Sequence, residues 1–561
     1  MTSTLDRSLP EAAATRGRAA RFAPAAGALL SLLIALVLFL QFSIDDVLKR
    51  DEAIYAYGGQ QLAEGVAPYA SVFDPKTPLA TGFAALATVA GRAVGAHDGA
   101  GDVHAMRILF LAFALAAVLA VYLLGLRLWG SVLAALVGAA VFASFKGFAL
   151  DAIGGPNAKT PGIFLAVLAM ALLIRRRWFW GALAGTLAFL VWQPLGIYML
   201  IALVAAPLVS APGRRRAAFL RALAGVAIPL AVTVVVFAAA GALSKLFEAA
   251  FDFPLTGIIR GKQTLLDRLH LIHRVVDSGY AHTYWLLWGG VAVLCALAVV
   301  RVVRSRSDLR AVVSDPLVLV VMGTAIPLAA FTAKDFEGYP DVYPALPYAA
   351  IGAGGAVAFL AARITRPAWR RAGAAACLAF VAALTVASWS WFDAASAPPN
   401  GGLAAQRSSA ALVQRALLPG EPFYALGDPA PLVVTRRRNP RRFVYLSSGV
   451  AIWDMRRTPG GFDGWKRRFL AARPGMVMIS GWKSDCQRAV AAWLPSHFVP
   501  ARVGSWYVFV SRRVLERARR RGIPLQVRKG GPGPGRRGCG GPTPARAGPP
   551  PGSPPRPRPV A

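Results

Sequence analysis

Between residues 25 and 392 the chain passes through one apolar run after another, joined by short loops that carry clusters of arginine. Few folds accept that pattern. An apolar run of about 20 residues matches the hydrocarbon core of a bilayer, and a chain inside that core must satisfy its own backbone, which favours helices. The pattern predicts an α-helical polytopic membrane protein. Composition agrees: 56% of residues are hydrophobic and 16% charged, more apolar surface than a soluble chain would need to bury.

Candidate spans fall near 25–43, 78–96, 107–126, 130–149, 161–174, 178–192, 194–211, 217–241, 283–303, 314–332, 342–362 and 373–392. Residues 1–22 are polar, with Arg7, Arg16, Arg18 and Arg21, and read as a disordered cytoplasmic tail ahead of a signal anchor. The basic clusters at 301–310 and 363–371 also read as cytoplasmic. An inside N-terminus and an outside C-terminal region require an odd number of crossings. The twelve candidates make an even number, so one of them fails to cross. If 78–96 is that one, Arg127, Arg175–Arg177 and Arg214–Arg216 all fall inside, and 150–160 falls outside. The net charge of +35 does not point to nucleic acid. From Arg512 onward thirteen Arg and Lys face one Glu, so about a third of the excess is in the tail. Much of the remainder follows the positive-inside pattern, and no recognition motif accompanies it.

The stretch after the first span, from Asp45 to Leu79, is polar and dense in ionisable groups. Carboxylates beside hydrocarbon are costly unless paired, hydrated or metal-bound, which marks Asp45, Asp46, Asp51 and Glu52 as a functional cluster. Asp45 and Asp46 read as the interface end of the span. Residues 52–63 suit an amphipathic helix lying along the interface, ended by Gly65, with Pro68 enforcing an extended exit. Asp51 is the expected general base, with helix capping as its plainer role. Glu52 would assist it, bind a cation or favour the helix N-terminus. Lys76, just before the next apolar run, is placed to meet a phosphate at the bilayer surface or to anchor that helix.

At these residues the chain resembles a family. Asp51-Glu52, Tyr55, Gly65, Pro68-Tyr69 and Lys76-Thr77-Pro78 look like the first outer loop of the GT-C glycosyltransferases, among them relatives of protein mannosyltransferases and of the lipid A aminoarabinose transferase. Thr77 between Lys76 and Pro78 departs from the family's Lys-Pro. A second fragment, Asp335 to Pro347, looks like a late loop of the same superfamily. The resemblance implies a catalytic loop over 45–77 in a membrane domain over 23–392. It implies a catalytic pair, Asp51 and Glu52, with Tyr55 and Lys76 among the substrate contacts. It also implies a second acidic or amide residue in a later outer loop, for which Asp151 and Asn157 in DAIGGPNAKTP are the matches.

Other candidates come from the residues themselves. The cationic loop over 242–282 offers Arg260 and Lys262 to a phosphate, or is a solvated interfacial helix. Asp335, Tyr339 and Asp341, with Glu337, mix carboxylates with aromatic rings, as sugar hydroxyls prefer. Gln193-Pro194 would break a helix and line a cavity; Trp192 reads as packing. From about 400 to 513 short β-rich runs (PFYALG, RRFVYLSS, GMVMISG, VPARVGSWYVFVSR) alternate with helical patterns at 403–417, 462–472 and 484–494. That predicts a small extracytoplasmic α/β accessory domain. Residues 529–561 are Pro/Gly/Arg-rich and read as disordered. The four cysteines lack CxxC or Cys/His spacing, against a structural zinc site or a disulfide framework.

The expected function is transfer of a sugar from a polyprenyl-phosphate donor to a glycan, lipid or protein acceptor outside a plasma membrane. A divalent cation, Mg or Mn, is an expected helper. The alternative is a transporter or lipid-linked-sugar flippase, which should place ionisable residues mid-span and show paired half-repeats.

Overall fold

The structure is a computed structural model that describes residues 18–256, 264–306, 308–336, 338–393, 401–446, 448–480 and 484–528. Among these residues, seven helices are long and apolar enough to cross a membrane: Phe22–Phe39, Gly99–Trp129, Pro212–Ala239, Leu265–Arg304, Leu317–Lys334, Tyr339–Arg363 and Pro367–Phe392. An eighth candidate is a broken pair, Val132–Ala143 and Lys146–Gly154, bent by 68°. Leu79–Ala93, Lys159–Ile174, Trp178–Val191 and Gln193–Val209 are apolar but shorter. The twelve runs seen in the sequence therefore divide into full-length and short helices. The run at 78–96 is one of the short ones; its 15 residues reach about 22 Å, against about 30 Å of hydrocarbon.

The first part of the chain builds the site. Helix α1 is Arg18–Phe39, α2 Arg50–Ala63, α3 Leu79–Ala93 and α4 Gly99–Trp129. Asp98 caps α4 by accepting the Gly101 N–H, and Gly130 ends it in the left-handed region (φ 63°), where a side chain would be strained. Ser131 then caps α5, Val132–Ala143. The bend follows, and α6, Lys146–Gly154, leads to α7, Lys159–Ile174. Helix α8, Trp178–Val191, stops at the expected Gln193-Pro194 break, and α9, Ile197–Val209, resumes after a short 3-10 turn.

Helix α2 is not the interfacial amphipathic helix expected of residues 52–63. Every residue from Ala53 to Gln61 is buried, because α3 covers one side and the C-terminal region the other. Gly59 allows the first contact: a Cβ there would lie 2.6 Å from the Ala84 Cβ.

The C-terminal region carries a five-stranded mixed sheet in the order β1-β2-β4-β3-β5. Its strands are β1 Phe423–Leu426, β2 Met476–Ile479, β3 Val499–Val503, β4 Trp506–Val510 and β5 Gln526–Val527. Only β1 and β2 run parallel. The helices Gly402–Ala416, Gly461–Ala471 and Asp485–Trp493 follow the expected pattern. RRFVYLSS is no strand. Its backbone is spent elsewhere: the Arg442 carbonyl accepts from the Phe73 N–H (2.8 Å) and the Val444 carbonyl from the Gly427 N–H (2.9 Å). Cys486 is disulfide-bonded, a link that the cysteine spacing did not announce.

One apolar core runs from the sheet into α2, joining Ala53, Tyr57 and Phe73 to Val433, Trp453 and Trp506. Polar bonds reinforce the seam. Gln406 exchanges hydrogen bonds with both backbone groups of Leu48, and the Asn439 N–H donates to the Tyr57 hydroxyl at 2.9 Å. The centre of the seam is Asp102, fully buried on α4. Its carboxylate accepts from Arg92, Gln60 and both ends of the Arg436 guanidinium fork, at 2.7 to 3.3 Å.

Candidate active site

Asp51 sits in the first turn of α2, and the turn before α3 presents Lys76 to it, with Nζ 3.6 Å from Oδ2. That turn is held from three sides. Asp74 accepts the Lys76 N–H at 3.1 Å, the Tyr69 hydroxyl donates to the Lys76 carbonyl at 2.7 Å, and Gln193 donates to the Pro75 and Ala250 carbonyls. Burial pushes Asp74 up to about 6, partly offset by Lys76. Burial disfavours the Lys76 ammonium, but Tyr55, Asp51 and Asp74 outweigh it and hold Lys76 well above the ordinary lysine range. Its Nζ lies 5.4 Å from the centre of the buried Tyr55 ring.

Strain accompanies the geometry. Arg50 (φ 49°) and Tyr69 (φ 62°) occupy the left-handed region, at a cost of about 1 kcal/mol or more each. Arg50 is held there by its N–H bond to Asp428 at 3.0 Å. The residue preceding Asp51 is thus fixed by the C-terminal region.

A cavity of about 440 Å³ opens beside Asp51 and Lys76. Its other walls include Lys159, Trp192, Gln193, Asp335 and Asp341. Lys159 forms an ion pair with Asp341, and its Nζ lies 5.1 Å from the centre of the Trp192 ring. Trp192 is therefore a wall of the cavity and not packing alone. Four residues singled out in the sequence, Asp51, Lys76, Asp335 and Asp341, meet here from loops far apart in the chain.

Glu52 points the other way, into a pocket against Gly154. A Cβ on that glycine would lie 2.8 Å from Glu52 Oε1. Arg107, fully buried on α4, forms part of this pocket. Its Nε donates to the Gly154 carbonyl and its Nη1 to the carbonyls of Ile44 and Asp46, while Nη2 has no partner. Among the described residues Glu52 itself has no hydrogen-bond or ion-pair partner. Burial, reinforced by Asp151 and opposed by Arg107 and Lys49, pushes its carboxyl up to about 8. The folded protein therefore holds this proton more tightly than the unfolded chain. That contribution to stability is complete below about 4.5 and lost as pH rises through about 8, with a slope of at most about 1.4 kcal/mol per pH unit. Glu52→Gln is expected to flatten this part of the thermal-stability profile in detergent; an unchanged slope would refute the assignment.

Asp151 accepts from the Tyr339 hydroxyl at 3.4 Å, and neither residue is on the cavity lining. The Asn157 side chain is committed to the start of α7. Its Oδ1 accepts the N–H groups of Lys159 and Thr160, and its Nδ2 donates to the carbonyls of Asp151 and Gly155. Arg260, Lys262 and Glu337 lie outside the described residues. Sequence reasoning missed Arg107, although an arginine inside an apolar run was itself a signal. It also missed Asp74, which bonds the Lys76 N–H two residues on, and Asp102, whose partners Gln60 and Arg436 are distant in sequence.

Among the described residues, the carboxylates of the cavity do not form a ligand set for the expected Mg or Mn. Among the described residues no three His, Cys, Asp or Glu side chains converge as metal ligands. Asp51 faces Lys76, and Asp341 faces Lys159.

No protein-family model matches the chain, and no curated protein matches it. Solved structures do. ArnT from Cupriavidus metallidurans in the apo state aligns with a TM-score of 0.54 at 16% identity, over 86% of this chain and 97% of that one. The same protein bound to undecaprenyl phosphate gives 0.50 at 16% identity over the same shares. An oligosaccharyltransferase from Archaeoglobus fulgidus, in complex with Zn and sulfate, gives 0.51 at 12% identity over 86% of this chain and 73% of that one. At such identities the likeness is one of fold.

Proposed function

On the premise of the GT-C fold that this chain has, we propose that it is a multi-pass membrane glycosyltransferase. It takes a sugar from a polyprenyl-phosphate donor and passes it to an extracytoplasmic glycan, lipid or protein acceptor. The observation that carries the reading is the cavity itself, where an open carboxylate, Asp51, stands beside one ammonium and shares its walls with a second, Lys159.

In this reading the acceptor hydroxyl attacks the anomeric carbon. The new glycosidic C–O bond forms as the bond from that carbon to the phosphate oxygen breaks, and the leaving phosphate keeps the electron pair. Asp51 takes the hydroxyl proton. Lys76 and Lys159 offset the charge that develops on the phosphate. Trp192 supplies a flat apolar face for the sugar ring, while Tyr339, bonded to Asp151, is not on the cavity lining. Glu52 stays behind the cavity, in the pocket it shares with Arg107 and Gly154. Donor, acceptor and membrane lipids are the partners, and Asp51 and the C-terminal sheet lie outside a plasma membrane. The undecaprenyl phosphate bound by ArnT supports the class of donor.

The test is reconstitution into liposomes with a polyprenyl-phosphate sugar and a membrane extract of acceptors, read by mass spectrometry. Covalent transfer is expected. Movement of the intact donor across the bilayer, with no new glycosidic product, would favour the flippase instead. Lys159→Ala is expected to raise the donor KM by about tenfold or more, the worth of a charge-assisted hydrogen bond. A KM equal to wild type would remove Lys159 from the donor site.

A further inference from the structure

A second cavity, of about 620 Å³, lies in the C-terminal region and shares no lining residue with the first. Its wall is the segment RRRNPRR over 436–442, which contributes five arginines, with Ala70 of the loop between α2 and α3 on the other side. Two of the five are committed to structure: Arg436 to Asp102 and Arg437 to the carbonyls of Leu417, Leu418 and Glu421. The other three are not used up. Arg438 is exposed and makes no hydrogen bond or ion pair with any described residue. Arg441 and Arg442 each spend one nitrogen on a carboxylate, Asp454 and Glu248, and each leaves Nη1 buried with no partner. The one carboxylate on the wall, Glu421, is held by Arg513 and Arg517.

Five arginines stand against one carboxylate on this lining, so the wall carries an excess of positive charge, and Arg438 meets no counter-charge among the described residues. Guanidinium forks match phosphate oxygens, and the volume is in the range of small-ligand pockets rather than of a single ion. We propose that this cavity binds a phosphate-bearing group, held by Arg438, Arg441 and Arg442, at a site separate from the transfer cavity. The Arg442 carbonyl also accepts the Phe73 N–H, so an occupant would stiffen the loop that carries Lys76. This inference does not depend on sugar transfer, because binding is read without turnover.

The experiment titrates inorganic pyrophosphate onto the full chain in nanodiscs, in a Lys76→Ala background that weakens the first cavity as an anion site. Saturable binding is expected, and Arg438→Gln should weaken it about tenfold at unchanged thermal stability. Absence of binding, or an affinity that Arg438→Gln leaves unaltered, overturns the proposal. Discs of phosphatidylcholine alone are compared with discs containing phosphatidylglycerol. Competition that depends on Arg438 supports the site and identifies a lipid headgroup as occupant. Equal affinity in both discs supports it and identifies a soluble phosphate-bearing group as occupant.

Discussion

Asp51→Asn is expected to lower sugar transfer by about a hundredfold to ten-thousandfold, the range attributed to a positioned general base, while leaving abundance and thermal stability near wild type. The substitution keeps size and shape and removes the ability to accept a proton. Asp51 is exposed, with one 3.6 Å ion pair to Lys76, so little folding energy is at stake. The measurement compares transfer at equal membrane abundance. Full activity in the variant would overturn the assignment of the base. Because the neighbouring Glu52 faces a different pocket, Glu52→Gln should act through stability and its pH dependence before it acts on the chemical step. The two adjacent carboxylates are thus separable by experiment.

The second large effect is structural. Arg436→Ala should destabilise the protein by about 3–5 kcal/mol, the cost of removing one partner from a buried charge pair. The substitution deletes both bonds to Asp102 and those to the carbonyls of Ala96, His97 and Asp98. Asp102 stays fully buried, with Arg92 and Gln60 as its remaining partners. Thermal unfolding in detergent and limited proteolysis between residues 393 and 528 are the readouts. Asp102→Ala with Arg436→Ala should cost less than the sum of the single changes, since both break one network. Additive losses would show that the seam is not held as described.

Much of the architecture was legible because it is local. Apolar runs, the stop at Gln193-Pro194 and the alternation in VPARVGSWYVFVSR lie within a few residues of their own causes. The charged lining of the cavity was legible at Asp51, Lys76, Asp335 and Asp341, where charge beside apolar sequence is anomalous. What escaped depends on partners far away. Arg436 and Asp102 are 334 residues apart, and Gln406 and Leu48 are 358 apart. No periodicity records such a pair. The same reason explains α2: its sequence suits an interface, but a domain formed from the end of the chain covers it. RRFVYLSS failed as a strand for a related reason, since Phe73 and Gly427 take the bonds that a neighbouring strand would need.

The continuous core beneath α2 has a bearing on how such a protein can be handled and how it can change over generations. Cutting the chain near residue 400 would not yield an enzyme and a spare module. It would yield two sticky fragments, one baring Ala53 and Tyr57 and the other Val433 and Trp506. Swapping the terminal sheet for that of a cousin would therefore demand matched changes around the helix it clasps, and the two parts should be inherited together.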